Sequence, residues 1–298
     1  MTIRRFALAP LLTLLLAPAV TAADEPSVGR GDRPRPVLRI GAVAYSPDAV
    51  TIFEGIRRHC GRHGLPVDYV LYSNYDALVE ALHAGHVDIA WNTPLAHARY
   101  HLKAGGKSRT LVMRDVDCGF RSVLVARKDA GIGSLGQLGG KSLILGSNDA
   151  AEATVLPLYY LKREGIDLGG LKVVSLDGEV DLEGNPCSGE RHVLRRLLDG
   201  RGDAGVIGER LWEHLKKERP KEADRLVGVW TTPPFSHCVF TASTQLDEGL
   251  GRRFTELMKA MDPADPQTCD VMRLEGTKRW VAGGQDGFRD LLKALGDR

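Results

Sequence analysis

Little in this sequence suits a nucleic-acid binder or a membrane-spanning protein. Aromatic residues make up only 6% of its 298 positions. The formal charge is +2, and both charges belong to Arg4 and Arg5 of an N-terminal segment that reads as an export signal. Without Met1–Ala22 the basic and acidic residues balance, so the electrostatic footprint of a nucleic-acid partner is missing. No later stretch is long and apolar enough to cross a bilayer. Cysteine is sparse as well: Cys60, Cys118, Cys187, Cys238 and Cys269 are too few for a disulfide-built scaffold, and their number is odd. One or two bridges suit an oxidising compartment, but the pairing cannot be read from spacing.

Catalytic signatures are also lacking. Gly139-Gly140-Lys141-Ser142 imitates a phosphate loop, but Leu135 stands where the first glycine is needed and a strand follows instead of a helix. There is no Gly-x-Ser-x-Gly elbow, no His-Glu-x-x-His and no Cys-x-x-Cys. The chain therefore reads as a binding protein and not an enzyme, and no cofactor is expected.

What is present is an alternation of strands and helices. After the apolar run Phe6–Ala19 and the small residues Val20-Thr21-Ala22, a polar leader covers 23–36. Strands are predicted at 37–43, 67–71 and 87–91, with a helix carrying Ile52, Phe53 and Ile56, and another carrying Leu78, Ala81 and Leu82. The second helix starts at Ser73 or Asn74 and stops at Gly85. The order recurs with strands at 141–145, 171–176 and 204–207, a helix at 150–164, and a helix with Val193 and Leu197 that stops at Gly200. Leu78, Leu82, Gly85 and Asp88 repeat the spacing of Val193, Leu197, Gly200 and Asp203. Two such units predict an α/β protein with two similar lobes and a cleft at the carboxyl ends of the strands.

Residues just after those strands are the candidate ligand contacts: Tyr45, Asn92, Thr93, His97, Ser147, Asn148 and Glu152. Glu190 follows a polar loop and joins them. Gly146–Glu152 turns a strand into a helix start, where backbone N–H groups face a ligand. Asp149 and Glu152 also have capping-box spacing, so capping competes with ligand contact for Glu152. His97 and His101, four apart on one helix, lack the glutamate of a metalloprotease motif and also read as two partly exposed histidines. Asp117-Cys118 and His237-Cys238 fall where two strands would cross between lobes. A disulfide, a thiol pair and a metal site all remain open there, with His97, Cys118, Glu152 and Cys238 as metal candidates.

Taken in order, several segments resemble the phosphonate-type periplasmic substrate-binding proteins of ABC importers, whose ligands include phosphate, phosphite and phosphonate. They are Arg39-Ile40-Gly41, Tyr75-Asp76-Ala77-Leu78, Gly85–Trp91, Thr93-Pro94-Leu95, Phe120–Asp129, Ser134-Leu135, Gly146-Ser147, Pro157 and Asp203-Ala204-Gly205. The resemblance implies a type II two-lobed fold, with residues 37–113 and 240–298 in the first lobe and 114–239 in the second. It implies a periplasmic monomer that closes by hinge motion on a small ligand and docks on an inner-membrane permease. The anion site departs from the pattern. Relatives carry a Ser-Thr-Ser-Gly run at the helix start, where this chain has Ala150-Ala151-Glu152-Ala153. An aromatic hydroxyl is replaced by His97, a ligand-contacting histidine falls near Glu190, and an aspartate falls near Gly208. Carboxylates in place of hydroxyls imply a ligand with positive charge or a metal ion, and leave open a metallochaperone or sensor role.

Overall fold

The computed structural model describes residues 37–178 and 189–296. The expected export signal, the leader to residue 36, and Cys187 lie outside the described residues. Among the described residues no helix is long and apolar enough to cross a membrane.

The first lobe begins with β1 (Leu38–Val43), buried at every position but Arg39. Helix α1 (Ala49–Arg62) buries Ile52, Phe53 and Ile56 along one face, as their spacing requires. Next come β2 (Val67–Tyr72), α2 (Tyr75–His83) and β3 (Ile89–Asn92). Asn74 caps α2, its Oδ1 accepting from Ala77 N at 2.9 Å. Thr93 caps α3 (Pro94–Lys103), and the short strands β4 (Arg109–Thr110) and β5 (Val112–Arg114) follow.

The second lobe is built from β6 (Ser122–Arg127), β7 (Ser142–Leu145), α4 (Leu156–Arg163), β8 (Lys172–Ser175) and α5 (Glu190–Leu198). It continues through β9 (Ala204–Gly208), α6 (Glu209–Glu218), α7 (Pro220–Ala223) and β10 (Leu226–Thr231). The chain then returns to the first lobe with β11 (Val239–Ala242), α8 (Glu248–Lys259), α9 (Cys269–Leu274), β12 (Trp280–Ala282) and α10 (Arg289–Gly296).

Each lobe holds one five-stranded sheet, in the orders β2-β1-β3-β11-β4 and β10-β6-β9-β7-β8. The two share a plan. In one, β1 lies parallel to β2 and β3 while β11 runs antiparallel to β3; in the other, β7 lies parallel to β8 and β9 while β6 runs antiparallel to β9. The four-residue echo marks this equivalence. Gly85 and Gly200 each leave their helix with left-handed φ, +73° and +74°, which glycine adopts without a Cβ clash. Asp88 Oδ2 accepts from Arg39 N of β1 at 2.8 Å, and Asp203 Oδ2 accepts from Ser142 N of β7 at 2.8 Å. Each aspartate thus ties the end of a helix–strand turn to the neighbouring parallel strand.

Two segments cross between the sheets. His237 N donates to the Asp117 carbonyl at 2.9 Å, and Phe235 N to the Phe120 carbonyl at 2.9 Å. Helix α10 packs on both lobes: Leu291 and Ala294 share an apolar cluster with Leu95, Ala98, Val155 and Leu156.

The predicted helix at 150–164 is regular only from Leu156. Ala151–Val155 forms a π-helical turn. The Ser122 hydroxyl donates to the Glu152 carbonyl at 2.7 Å, a side chain competing for an oxygen of the helical ladder, which is a recognised cause of such turns. The expected capping box does not form either. Ala150 is the cap residue and its methyl group makes no capping hydrogen bond, while Asp149 and Glu152 make ion pairs elsewhere.

Candidate functional site

Residues that follow β3 and β7 line one cavity of about 490 Å³, together with Tyr75 of α2 and His237 of the crossing segment. From the first lobe come Thr93 and Arg99; from the second, Ser147, Asp149, Glu152 and Asp177. This is where ligands of parallel α/β sheets are held, beyond the carboxyl ends of the strands. Arg99 joins the two sides, pairing with Asp76 at 2.9 Å and with Asp149 at 2.6 Å. A larger recess of about 600 Å³ lies on the second lobe around Arg191, Arg195 and Arg225, and shares no lining residue with the cleft.

A chain of charges runs from the first lobe through the crossing segments to the cavity floor. Tyr45 Oη donates to Glu275 Oε1 at 3.0 Å. Arg114 reaches Glu275 Oε2 at 3.1 Å and grips Asp117 with two bonds, Nε to Oδ2 at 2.6 Å and Nη2 to Oδ1 at 2.9 Å. This fork matches a carboxylate's geometry and fixes its orientation. Asp117 Oδ1 lies 3.3 Å from His237 Nδ1, and His237 Nε2 lies 3.5 Å from Glu152 Oε2. Phe120 stacks on the imidazole with ring centroids 4.7 Å apart.

Burial opposes charge on His237, but Cys238, Asp117 and Glu152 outweigh it and hold its pKa well above the usual histidine range. Glu152 and Asp117 are likewise opposed by burial, yet His237 and, for Asp117, also Arg114 hold their pKa values below the ordinary carboxylate range. The cleft floor therefore carries an imidazolium between two carboxylates, one on each side of the ring. Beside it, Glu190 has its pKa raised by burial and then by the charge of Glu152. Its Oε2 accepts from Gly208 N at 2.5 Å. A Cβ on Gly208 would lie 2.5 Å from that oxygen and 2.7 Å from Phe120 Cζ. A side chain at this position would have to displace the Glu190 carboxylate and the Phe120 ring.

Of the eight residues expected to touch ligand, Thr93, Ser147 and Glu152 line the cavity. Thr93 also caps α3, its hydroxyl oxygen accepting from Ala96 N at 3.3 Å. Asn148 sits beside the cavity and spends its amide on Asp177, donating from N at 3.1 Å and Nδ2 at 2.9 Å. Tyr45 is committed to Glu275, and Glu190 to Gly208. Asn92 and His97 are corrections. Asn92 is 1% exposed and donates to Thr241 Oγ1, and its own Oδ1 has no partner. His97 is 0% exposed, so neither the cleft contact nor the partly exposed reading holds. Its Nδ1 lies 2.9 Å from Thr241 Oγ1, its Nε2 3.1 Å from Gln285 Oε1, and its ring packs on Phe288. The same enclosure removes it from the metal candidates.

Cys60, Cys118, Cys238 and Cys269 are free thiols. Cys118 is exposed, whereas Cys238 Sγ lies 3.2 Å from His237 Nδ1. Metal-ligating atoms gather at Asp117, His237 and Cys238, all within 4.8 Å of one another. Sequence reading flagged both dipeptides but missed Arg99, Arg114 and Glu275. Arg114 stands three positions before its partner Asp117, whereas its pairing with Glu275, 161 positions away, arises only through the fold.

Two α/β lobes, two crossing segments and a cavity between strand ends define a two-lobed solute-binding protein of type II. The sequence profile described as "ABC transporter, phosphonate, periplasmic substrate-binding protein" matches residues 48–288, and the chain belongs to that family. A probable ABC-transporter phosphite-binding protein, PhnD1 of Prochlorococcus marinus MIT 9301, is 25% identical over 236 residues, 76% of each chain. The solved structure of PhnD1 with methylphosphonate matches with a TM-score of 0.66 at 20% identity, covering 88% of this chain and 97% of that one. A Xanthomonas citri protein solved with bound ATP matches with a TM-score of 0.68 at 18% identity, covering 88% and 97%.

Proposed function

We propose that the protein is the monomeric, exported capture component of an ABC importer, and that its solute presents a positive group to the cleft floor. One observation carries this reading: Glu152, an ionised carboxylate, faces the cavity at the start of the π-helical turn. A helix start attracts an anion, but here the protein's own carboxylate already occupies that position. A phosphonate oxygen about 4 Å away would meet a repulsion of about 4 kcal/mol per unit charge from Glu152 at an effective dielectric near 20, and the one imidazolium of His237 is already shared between Glu152 and Asp117. Arg99 offers little relief, since Asp76 and Asp149 already take up its guanidinium. A cation avoids that repulsion. On this reading the chain turns over nothing; it closes on a solute and presents it to a permease.

The test is calorimetric titration and thermal shift of chelator-treated protein against methylphosphonate, phosphite, small organic ammonium ions and divalent metals. A cation is expected to stabilise the protein, by about 2.7 kcal/mol at one hundred times its Kd, and Glu152→Gln is expected to weaken binding about tenfold and so cut the effect to about half. Stabilisation by metal-free methylphosphonate or phosphite that survives Glu152→Gln would overturn the proposal.

A further inference from the structure

We infer that the hinge end of the cleft is a site for one borderline divalent transition-metal ion, of the zinc or cobalt kind, held by Asp117, His237 and Cys238. The inference rests on the cationic reading above and names the positive group. The three ligands come from both crossing segments, Asp117 from one and the His237-Cys238 pair from the other. The backbone bond between His237 N and the Asp117 carbonyl fixes their register.

A tetrahedral ion with bonds of about 2.0–2.3 Å places neighbouring ligand atoms roughly 3.5 Å apart. His237 Nδ1 stands 3.2 Å from Cys238 Sγ and 3.3 Å from Asp117 Oδ1, and all three atoms lie within 4.8 Å. The geometry needs only small shifts to close around an ion.

The surroundings supply the outer contacts such sites use. His237 turns its other nitrogen, Nε2, toward Glu152 Oε2, the carboxylate–histidine arrangement that fixes ring orientation and strengthens the metal-facing nitrogen. Phe120 holds the ring plane, and the Arg114 fork holds the Asp117 carboxylate. The mixed nitrogen, oxygen and sulfur set selects against calcium and magnesium, which take oxygen ligands in larger number. When the ion binds it displaces two protons, one from the Cys238 thiol and one from Nδ1 of the His237 imidazolium, and both leave to solvent; no electron is transferred. The ion's two charges and that of Arg114 then face Asp117, Glu152 and the thiolate. Of the three ligands, His237 lines the cavity.

Tag-free, chelator-treated protein is titrated with cobalt, followed by its thiolate charge-transfer absorption, and with zinc by calorimetry. The expected result is one ion per chain. Cys238→Ser should remove the charge-transfer band and weaken zinc at least tenfold, Glu152→Gln should weaken it about tenfold as an outer contact, and Cys118→Ser should change nothing. Zinc should also protect Cys238 of the unmutated protein from alkylation, which tests the site without relying on a variant's folding. No saturable binding, or tight binding that survives Cys238→Ser with the thiol unprotected, would overturn the metal site. If ammonium solutes then bind in a Glu152-dependent way, the cationic reading stands without the metal. If only metal-free phosphonate or phosphite binds, both fall.

Discussion

His97 and His237 are both enclosed histidines of one chain, and their surroundings drive them in opposite directions. His97 sits among neutral partners, with Thr241 on one nitrogen, Gln285 on the other and Phe288 against the ring. Burial lowers its pKa to about 4. His237 sits between Asp117 and Glu152 with Cys238 alongside, and those groups overcome burial and raise its pKa. The first ring is part of the wall behind the cleft; the second is part of its floor. A histidine's role here follows from the charges its neighbours bring, not from its place on a helix or strand.

The comparison is tested most severely by removing the anchor of the charged site. Asp117→Ala leaves Arg114 and His237 without their shared carboxylate in a position that is 2% exposed. A loss of about 3–5 kcal/mol in urea unfolding is expected, the cost of a broken buried pair. A loss below about 1 kcal/mol would mean that Glu275 and Glu152 hold the cations unaided.

The next effect concerns the neutral site and pH. The folded pKa of His97 lies below its unfolded value of 6.5, at about 4, so the unfolded chain binds the proton first as pH falls. Stability from this residue is intact above pH 6.5 and should fall by about 3 kcal/mol on acidification to pH 4. Unfolding free energies measured across that window should show a slope that His97→Gln flattens. An unchanged slope would refute the assignment.

The smallest expected effect separates structure from closure. Arg99 bridges Asp76 and Asp149 at an exposed rim, and exposed ion pairs contribute about 0–1 kcal/mol. Arg99→Ala should therefore leave unfolding nearly unchanged while accelerating ligand dissociation, read by stopped-flow fluorescence. A stability loss of several kcal/mol would place Arg99 with the buried network instead.

The legible parts of this protein were local. The spacing of Leu78, Leu82, Gly85 and Asp88 against Val193, Leu197, Gly200 and Asp203 announced two copies of one helix–strand unit, because helix spacing and a stopping glycine act within a few positions, although the bonds of Asp88 and Asp203 reach strands 49 and 61 positions earlier. Asn74 as a cap and Gly85 as a stop were equally readable. Thr93, Ser147 and Glu152 were placed at strand ends by the same logic, and they line the cavity. Asn92 and His97 failed because the reading gave a strand end no depth: β11, laid antiparallel against β3, brings Thr241 to both side chains and seals them. The π-helical turn was hidden too, since the hydroxyl that competes for the Glu152 carbonyl comes from Ser122, 30 positions earlier.

By itself, then, the sequence determined the two α/β lobes, the crossing points at Asp117-Cys118 and His237-Cys238, and the arrival of Glu152 at a helix start. Periodicity, turn residues and caps act over a few positions and leave their mark in order along the chain. Which histidine is charged, which cysteine has metal-ligating neighbours and which arginine orients Asp117 were decided only by tertiary structure. Those properties depend on contacts of about 3 Å that bring His237 to Asp117 and Glu152, and Arg114 to Glu275, across long stretches of chain, where electrostatic effects are strongest.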